Sequence, residues 1–252
     1  MRVEIKTITP ELAATFLELN DGNRKINNSQ LSMLSRAMTS GEWRLTHQGV
    51  AFYDDGSLAD GQHRLSAVVH SGVSCEMLVC YGVTRDPSSV MAIDSGKLRS
   101  VVDSMKISGL KIKANHVTIA KGLEFGFSKK HAKLSTQEIA SLCGKHKGDI
   151  DVLTRVLSTN CSGVSIAPVK VAILDCISRG YISECLAGRF YNTLTSGEYD
   201  SDIMINAVKL RNKLMSKNYN GGHERVIAYR MTANTIISTG KSIKINRVNH
   251  GN

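Results

Sequence analysis

The sequence predicts an α+β fold: a mixed sheet with helices over residues 1–108, followed by an all-helical region over residues 109–252. Three observations carry this. Up to Val83, short apolar runs bounded by Gly, Asp and Asn alternate with stretches of helical period. Beyond that point, helix-capping signals and glycine stops recur. The charge divides in the same way, with 11 Lys+Arg against 12 Asp+Glu in residues 1–110 and 21 against 10 in residues 111–252.

In chain order, VEIKTIT (Val3 to Thr9) has strand composition. Thr9-Pro10-Glu11 then supplies an N-cap, a proline at the first helical position and an acid in the first turn, which predicts a short helix to about Asn20. In SQLSMLSRAMTSGEW, Leu31, Leu34 and Met38 share one face, so a second helix runs to the stop at Gly41. Val50 to Tyr53, the turn Asp54-Asp55-Gly56 and Leu58 to Asp60 read as a hairpin. A helix from Arg64 to about His70 stops at Ser71-Gly72, and Cys75 to Val83 is a buried strand. The second half predicts helices near 114–127, 136–146, 149–158, 166–179, 181–195, 202–216 and 223–239, with an S-x-x-E capping box at Ser135 and Pro168 in a first turn. The junction near Lys106 to Lys113 is short.

Composition excludes several classes. No apolar run approaches 18 residues and MRVEIKTITP lacks a signal layout, so no membrane partner and a cytoplasmic location are expected. The six cysteines form no C-x-x-C pair and read as reduced thiols, not as a disulfide or zinc framework. A pI near 9.4 with its surplus in one half points to a polyanion, above all nucleic acid. Lys111, Lys113, Lys121, Lys129, Lys130, His131, Lys133, Lys145 and Lys147 form the densest cationic stretch, joined by Lys209, Arg211, Lys213 and Lys217. Aromatics amount to 5%, too few for a single-strand stacking platform, so contact with a duplex backbone fits better.

The most concentrated chemistry lies in LADGQHRLSAV, Leu58 to Val68, where an acid, a glycine, an amide, an imidazole and a guanidinium precede a helix. Unpaired amides at a helix start favour anions, Gly61 admits close backbone approach, and His63 and Arg64 add donors suited to phosphate. The turn alone admits a second reading, in which Asp60 caps the helix and Arg64 pairs with it on the surface. TIISTGKS, Thr235 to Ser242, is a near miss to a phosphate-binding loop, but Thr235 replaces its first glycine and the segment ends a helix.

With its preceding TSGEW and FYDDGS, the DGQHR stretch resembles the ParB/sulfiredoxin superfamily in its phage-borne branch. The resemblance covers Val3 to Val83 and implies that Gly61, His63 and Arg64 hold nucleotide phosphates. Gln62 stands where sulfiredoxins carry a catalytic cysteine, which excludes sulfinic acid reduction and leaves Gln62 as a candidate catalytic position. Asn23-Arg24 resembles the first ParB box, in which an arginine reaches the nucleotide, and His47 and Gln48 lie where the pocket is completed. Asp94 and Arg99, in IDSGKLRS, resemble a further element of the phage branch, and an ordinary ion pair is their alternative reading. Tyr229 to Ile243 resembles the closing helix of that branch.

The resemblance implies a nucleoside triphosphate, ATP or CTP, with Asp60 as general base or magnesium ligand and His63 and Arg64 stabilising charge. The leading expectation is a nucleotide-dependent phosphotransferase acting on duplex DNA, phosphorylating a hydroxyl such as that of a hydroxymethylated base in phage DNA hypermodification. The location would then be the cytoplasm of an infected bacterium. The alternatives are a non-catalytic, nucleotide-gated DNA-binding protein, for which helices 136–146 and 149–158 are a candidate reader pair, and a nuclease.

Overall fold

The computed structural model describes residues 1–86, 99–128, 131–219 and 221–249, and the chain divides into two compact units. The first comprises Met1–Arg99 with Ala132–Ser135, the second Ser100–His131 with Thr136–Asn252. The division therefore falls at Arg99/Ser100, where the sequence placed it at 108/109. Lys133, expected on the helical region, groups with the first unit, its Nζ donating to Gln30 Oε1 at 2.6 Å. Asp94, Lys129 and Lys130 lie outside the described residues.

The first unit is a four-stranded mixed sheet with helices. Its elements are β1 (Arg2–Ile8), α1 (Pro10–Glu18), α2 (Asn28–Thr39), β2 (Val50–Tyr53), β3 (Leu58–Asp60), α3 (Gln62–Ser71) and β4 (Cys75–Val83). The strand order is β1-β4-β2-β3: β1 and β3 run antiparallel to their neighbours and β2 runs parallel to β4. Local chemistry sets the helix starts. Thr9 Oγ1 accepts from Leu12 N at 3.2 Å ahead of Pro10, and Asn27 Oδ1 accepts from Gln30 N at 3.0 Å. Ile8, Met38, Phe52, Leu65 and Met77 are buried in one core, each worth about 1.5–3 kcal/mol of transfer free energy. Phe52 also meets Phe16 edge-on and stacks on Tyr81, with ring centroids 4.8 and 5.4 Å apart.

Among the described residues, every regular element of the second unit is helical. Its helices are α4 (Val101–Ile107), α5 (Ala114–Phe125), α6 (Thr136–Lys145), α7 (Lys147–Val156), α8 (Ala167–Ser178), α9 (Glu184–Ser196), α10 (Ile205–Met215) and α11 (Gly222–Gly240), with a 3₁₀ turn at Asp202–Met204. The seven expected helices are all present. The eighth, α4, is not expected from the sequence and overlaps the expected junction only at Lys106 and Ile107; it is held by a capping box in which Ser100 and Asp103 bond each other's backbone. Ser165, expected to begin a helix, instead accepts from Cys161 N at 2.8 Å and meets Tyr191 Oη at 2.9 Å. Phe190, Tyr191, Leu194, Leu210 and Met231 are fully buried in the core. No helix of the described residues is long and apolar enough to cross a membrane.

The TIISTGKS segment spans the last turns of α11 and the two residues that follow it. Thr235 and Thr239 are buried and bond back to the carbonyls of Met231 and Thr235, at 2.7 and 2.8 Å. A Cβ on Gly240 would stand 2.2 Å from Tyr181 O, so this glycine serves helix packing.

Candidate phosphate site at the start of α3

The Asp60–Arg64 turn is shaped by three glycine-dependent features. Gly61 is the N-cap of α3 at φ 107°, ψ 2°, a left-handed conformation that side chains rarely adopt. A Cβ there would also approach Val50 Cα to 3.0 Å. Gly49 is tighter still, for a Cβ would fall 1.8 Å from Leu78 O. The bare backbone of Gly49 thus lets β2 settle against β4 and leaves the Gly49 carbonyl to accept from Arg64 Nη1 at 2.8 Å.

No side chain caps α3. Asp60, the candidate cap, turns back on its own junction: Oδ1 accepts from Gly61 N at 2.6 Å and Oδ2 lies 3.5 Å from Arg64 Nη1. The start of α3 therefore keeps its partial positive charge without a side-chain acceptor over it. Arg64 is largely buried, while Asp60 is half exposed.

His63 is drawn into the same cluster. Its Nε2 accepts from Asn27 N at 2.9 Å, which fixes the proton of the neutral ring on Nδ1. Burial holds its pKa below the ordinary value, and the nearby charges of Arg24, Arg64 and Lys133 add to that, opposed by Asp60. Three cations around one neutral imidazole define an electropositive corner at a helix start.

The other residues singled out in the sequence divide into supports and rim. Gln62 is buried, its Nε2 donating to Arg24 O at 2.9 Å and its Oε1 accepting from Asn20 Nδ2 at 3.3 Å. Both ends of the amide are occupied, so Gln62 acts as a strut for the 20–24 loop. Asn23 likewise ties that loop to β3, donating to Leu58 O at 2.8 Å. These two amides carry Arg24 to the cluster. His47 and Gln48 are exposed, and the contact made by their segment to Arg64 comes from Gly49. Arg99 is exposed at the end of the first unit. Asn27 is a site residue that sequence reasoning missed, because its role depends on a partner 36 positions away.

The cations of the helical unit are partly spoken for. Lys145 pairs with Glu124 at 2.7 Å, Lys147 with Asp151 at 2.7 Å and Lys217 with Glu224 at 2.8 Å. Arg211 donates to Leu194 O and Thr195 O, closing the end of α9, and Lys209 donates to Ile245 O. Lys111 and Lys113 are exposed.

No family model matches this sequence, and no curated protein or solved structure is significantly similar to it.

Proposed function

We propose that the first unit is a nucleotide-binding module of the ParB/sulfiredoxin kind, and that the protein transfers a phosphoryl group from a nucleoside triphosphate to a hydroxyl on duplex DNA. The observation that carries the reading is the uncapped start of α3 at a left-handed glycine, with Arg24, His63 and Arg64 gathered on it. Backbone amides, Arg64 and Arg24 would hold the phosphates, and the neutral His63 contributes its Nδ1–H. Asp60 retains lone pairs on a half-exposed carboxylate and is the group to take the proton from the attacking hydroxyl. The new bond joins that oxygen to the terminal phosphorus as the bridge to the leaving diphosphate breaks.

Among the described residues, no three His, Cys, Asp or Glu side chains converge into a metal site. Asp60 alone suits magnesium, which is commonly held by one or two carboxylates together with substrate phosphates. The acceptor follows from the charge excess of residues 111–252. A hydroxymethylated base, as in phage DNA hypermodification, is the acceptor that the resemblance favours.

One observation weighs against a nucleotide-gated DNA clamp. The candidate reader helices α6 and α7 are joined by His146 alone, where a helix-turn-helix uses a turn of three or four residues. The test is transfer of label from γ-labelled ATP or CTP to plain and hydroxymethylated duplex DNA. Label on the DNA is expected with the wild type and none with Asp60→Asn. Absence of transfer to either duplex, together with unchanged nucleotide affinity in Arg64→Ala, overturns the reading.

A further inference from the structure

We propose that the helical unit carries a second binding site, a cleft among α5, α8 and α11 that takes a nucleotide moiety, its planar base against Phe127 and its phosphate on Arg179 and Arg230. This rests on the reading of the protein as one that acts on nucleic acid, and it adds a place within the helical unit where a single nucleotide is held.

Two cavities of about 320 and 370 Å³ share Gly122, Gly126 and Phe127. Each falls in the size range of small-ligand sites, roughly 300–1,000 Å³. Gly122 brings the wall together: a Cβ there would stand 2.7 Å from Val171 Cγ2 and 2.9 Å from Phe127 Cζ. The Phe127 ring has the Arg225 guanidinium 4.7 Å from its centroid and the Tyr229 ring 6.3 Å away. The Arg225 guanidinium lies over the Phe127 ring, and this stacked pair presents a planar surface on which a nucleobase packs without choice among bases.

The polar side of the cleft is cationic with one acid. Arg179 and Arg230 line the first cavity, and Lys121 and Arg225 line the second. The acid is Asp175, and both its oxygens are engaged, Oδ1 by Arg179 Nε at 2.9 Å and Oδ2 by the Tyr229 hydroxyl. Burial and the neighbouring Asp175 raise the pKa of Tyr229, so the phenol stays neutral and adds no negative charge. Asp175 therefore orients Arg179 and leaves Arg230 uncompensated, for among the described residues no carboxylate meets Arg230. Two guanidiniums beside an apolar, aromatic wall match a phosphate joined to a planar ring.

The source is a free nucleotide or a nucleotide within a strand, and the experiment separates them. Calorimetry on the full chain uses deoxyadenosine monophosphate, and fluorescence anisotropy uses a labelled single-stranded oligonucleotide. Arg179→Ala and Arg230→Ala should each weaken binding by about tenfold or more, as expected for a lost charge-assisted hydrogen bond. Arg64→Ala should leave this binding unchanged while weakening triphosphate binding at α3 by about tenfold or more, so the two sites can fail separately. Deoxyadenosine without phosphate should bind more weakly than the monophosphate. An effect in the monophosphate arm assigns a free nucleotide, and an effect confined to the oligonucleotide arm assigns a nucleotide in a strand. Arg230 is exposed, so its substitution leaves the fold intact. Binding in both arms that is indifferent to both substitutions, no binding in either arm, or a loss seen only with Arg64→Ala overturns the proposal.

Discussion

Arg64 reaches back across one helical turn to Asp60, with Nη1 3.5 Å from Oδ2, while the same nitrogen donates to Gly49 O at 2.8 Å. The shorter bond, to a backbone carbonyl beside the buried β2 strand, is the anchor. A long ion pair to a half-exposed carboxylate contributes about 0–1 kcal/mol. Asp60→Asn should therefore leave the turn and the nucleotide affinity within a few-fold of wild type while abolishing transfer. Phosphoryl transfer at near wild-type rate in this variant would reduce Asp60 to a structural residue.

Arg64→Ala removes both the anchor to Gly49 and one of the guanidiniums at the α3 start. Nucleotide affinity should fall by about 1.5–3 kcal/mol, the range for hydrogen bonds to charged groups. Calorimetry on the folded variant measures this directly, and an unchanged dissociation constant would move the site elsewhere.

Gly49→Ala tests the close approach of β2 to β4. With 1.8 Å available to Leu78 O, a methyl group cannot enter without parting the strands. The loss of stability should be at least about 2–3 kcal/mol by urea denaturation, at the upper end for overpacking. Gly240→Ala should be costly for the same reason, at 2.2 Å from Tyr181 O, with no effect on nucleotide binding.

The pH response of His63 follows from its depressed pKa. Its ordinary value is 6.5 and the folded value lies below it, with burial the main cause. The unfolded chain thus takes up the proton first on acidification. The contribution to stability is present above pH 6.5 and is lost as pH falls through the folded value. A bound phosphate beside the ring favours the imidazolium, so nucleotide should raise the folded pKa. Histidine titration by NMR with and without ATP reads both shifts, and a titration unmoved by nucleotide would separate His63 from the phosphates.

Salt dependence tests the helical unit. Lys111 and Lys113 are exposed, whereas Lys145 and Lys147 are shared with Glu124 and Asp151. Reversing Lys111 and Lys113 to Glu should flatten the plot of log affinity against log salt on duplex DNA by about 2, at roughly 0.9 per phosphate contact. Reversal without change of slope would place the DNA surface elsewhere.

What the sequence determined by itself is what depends on neighbours within four or five positions. Thr9 with Pro10 and Glu11 writes the start of α1 in adjacent letters. The turn at Gly56, the left-handed Gly61 and the stop at Gly72 are read from single glycines. The cation-bearing turn at 60–64 was visible for the same reason. Tertiary structure decided the rest. It set β4 between β1 and β2, the close pass of Gly49 over Leu78, and the grip of Asn27 on His63. It made Gln62 a strut and committed lysines to carboxylates up to 42 positions away. Local rules state which backbone groups a short segment leaves unpaired, but which distant group satisfies them depends on how the chain packs.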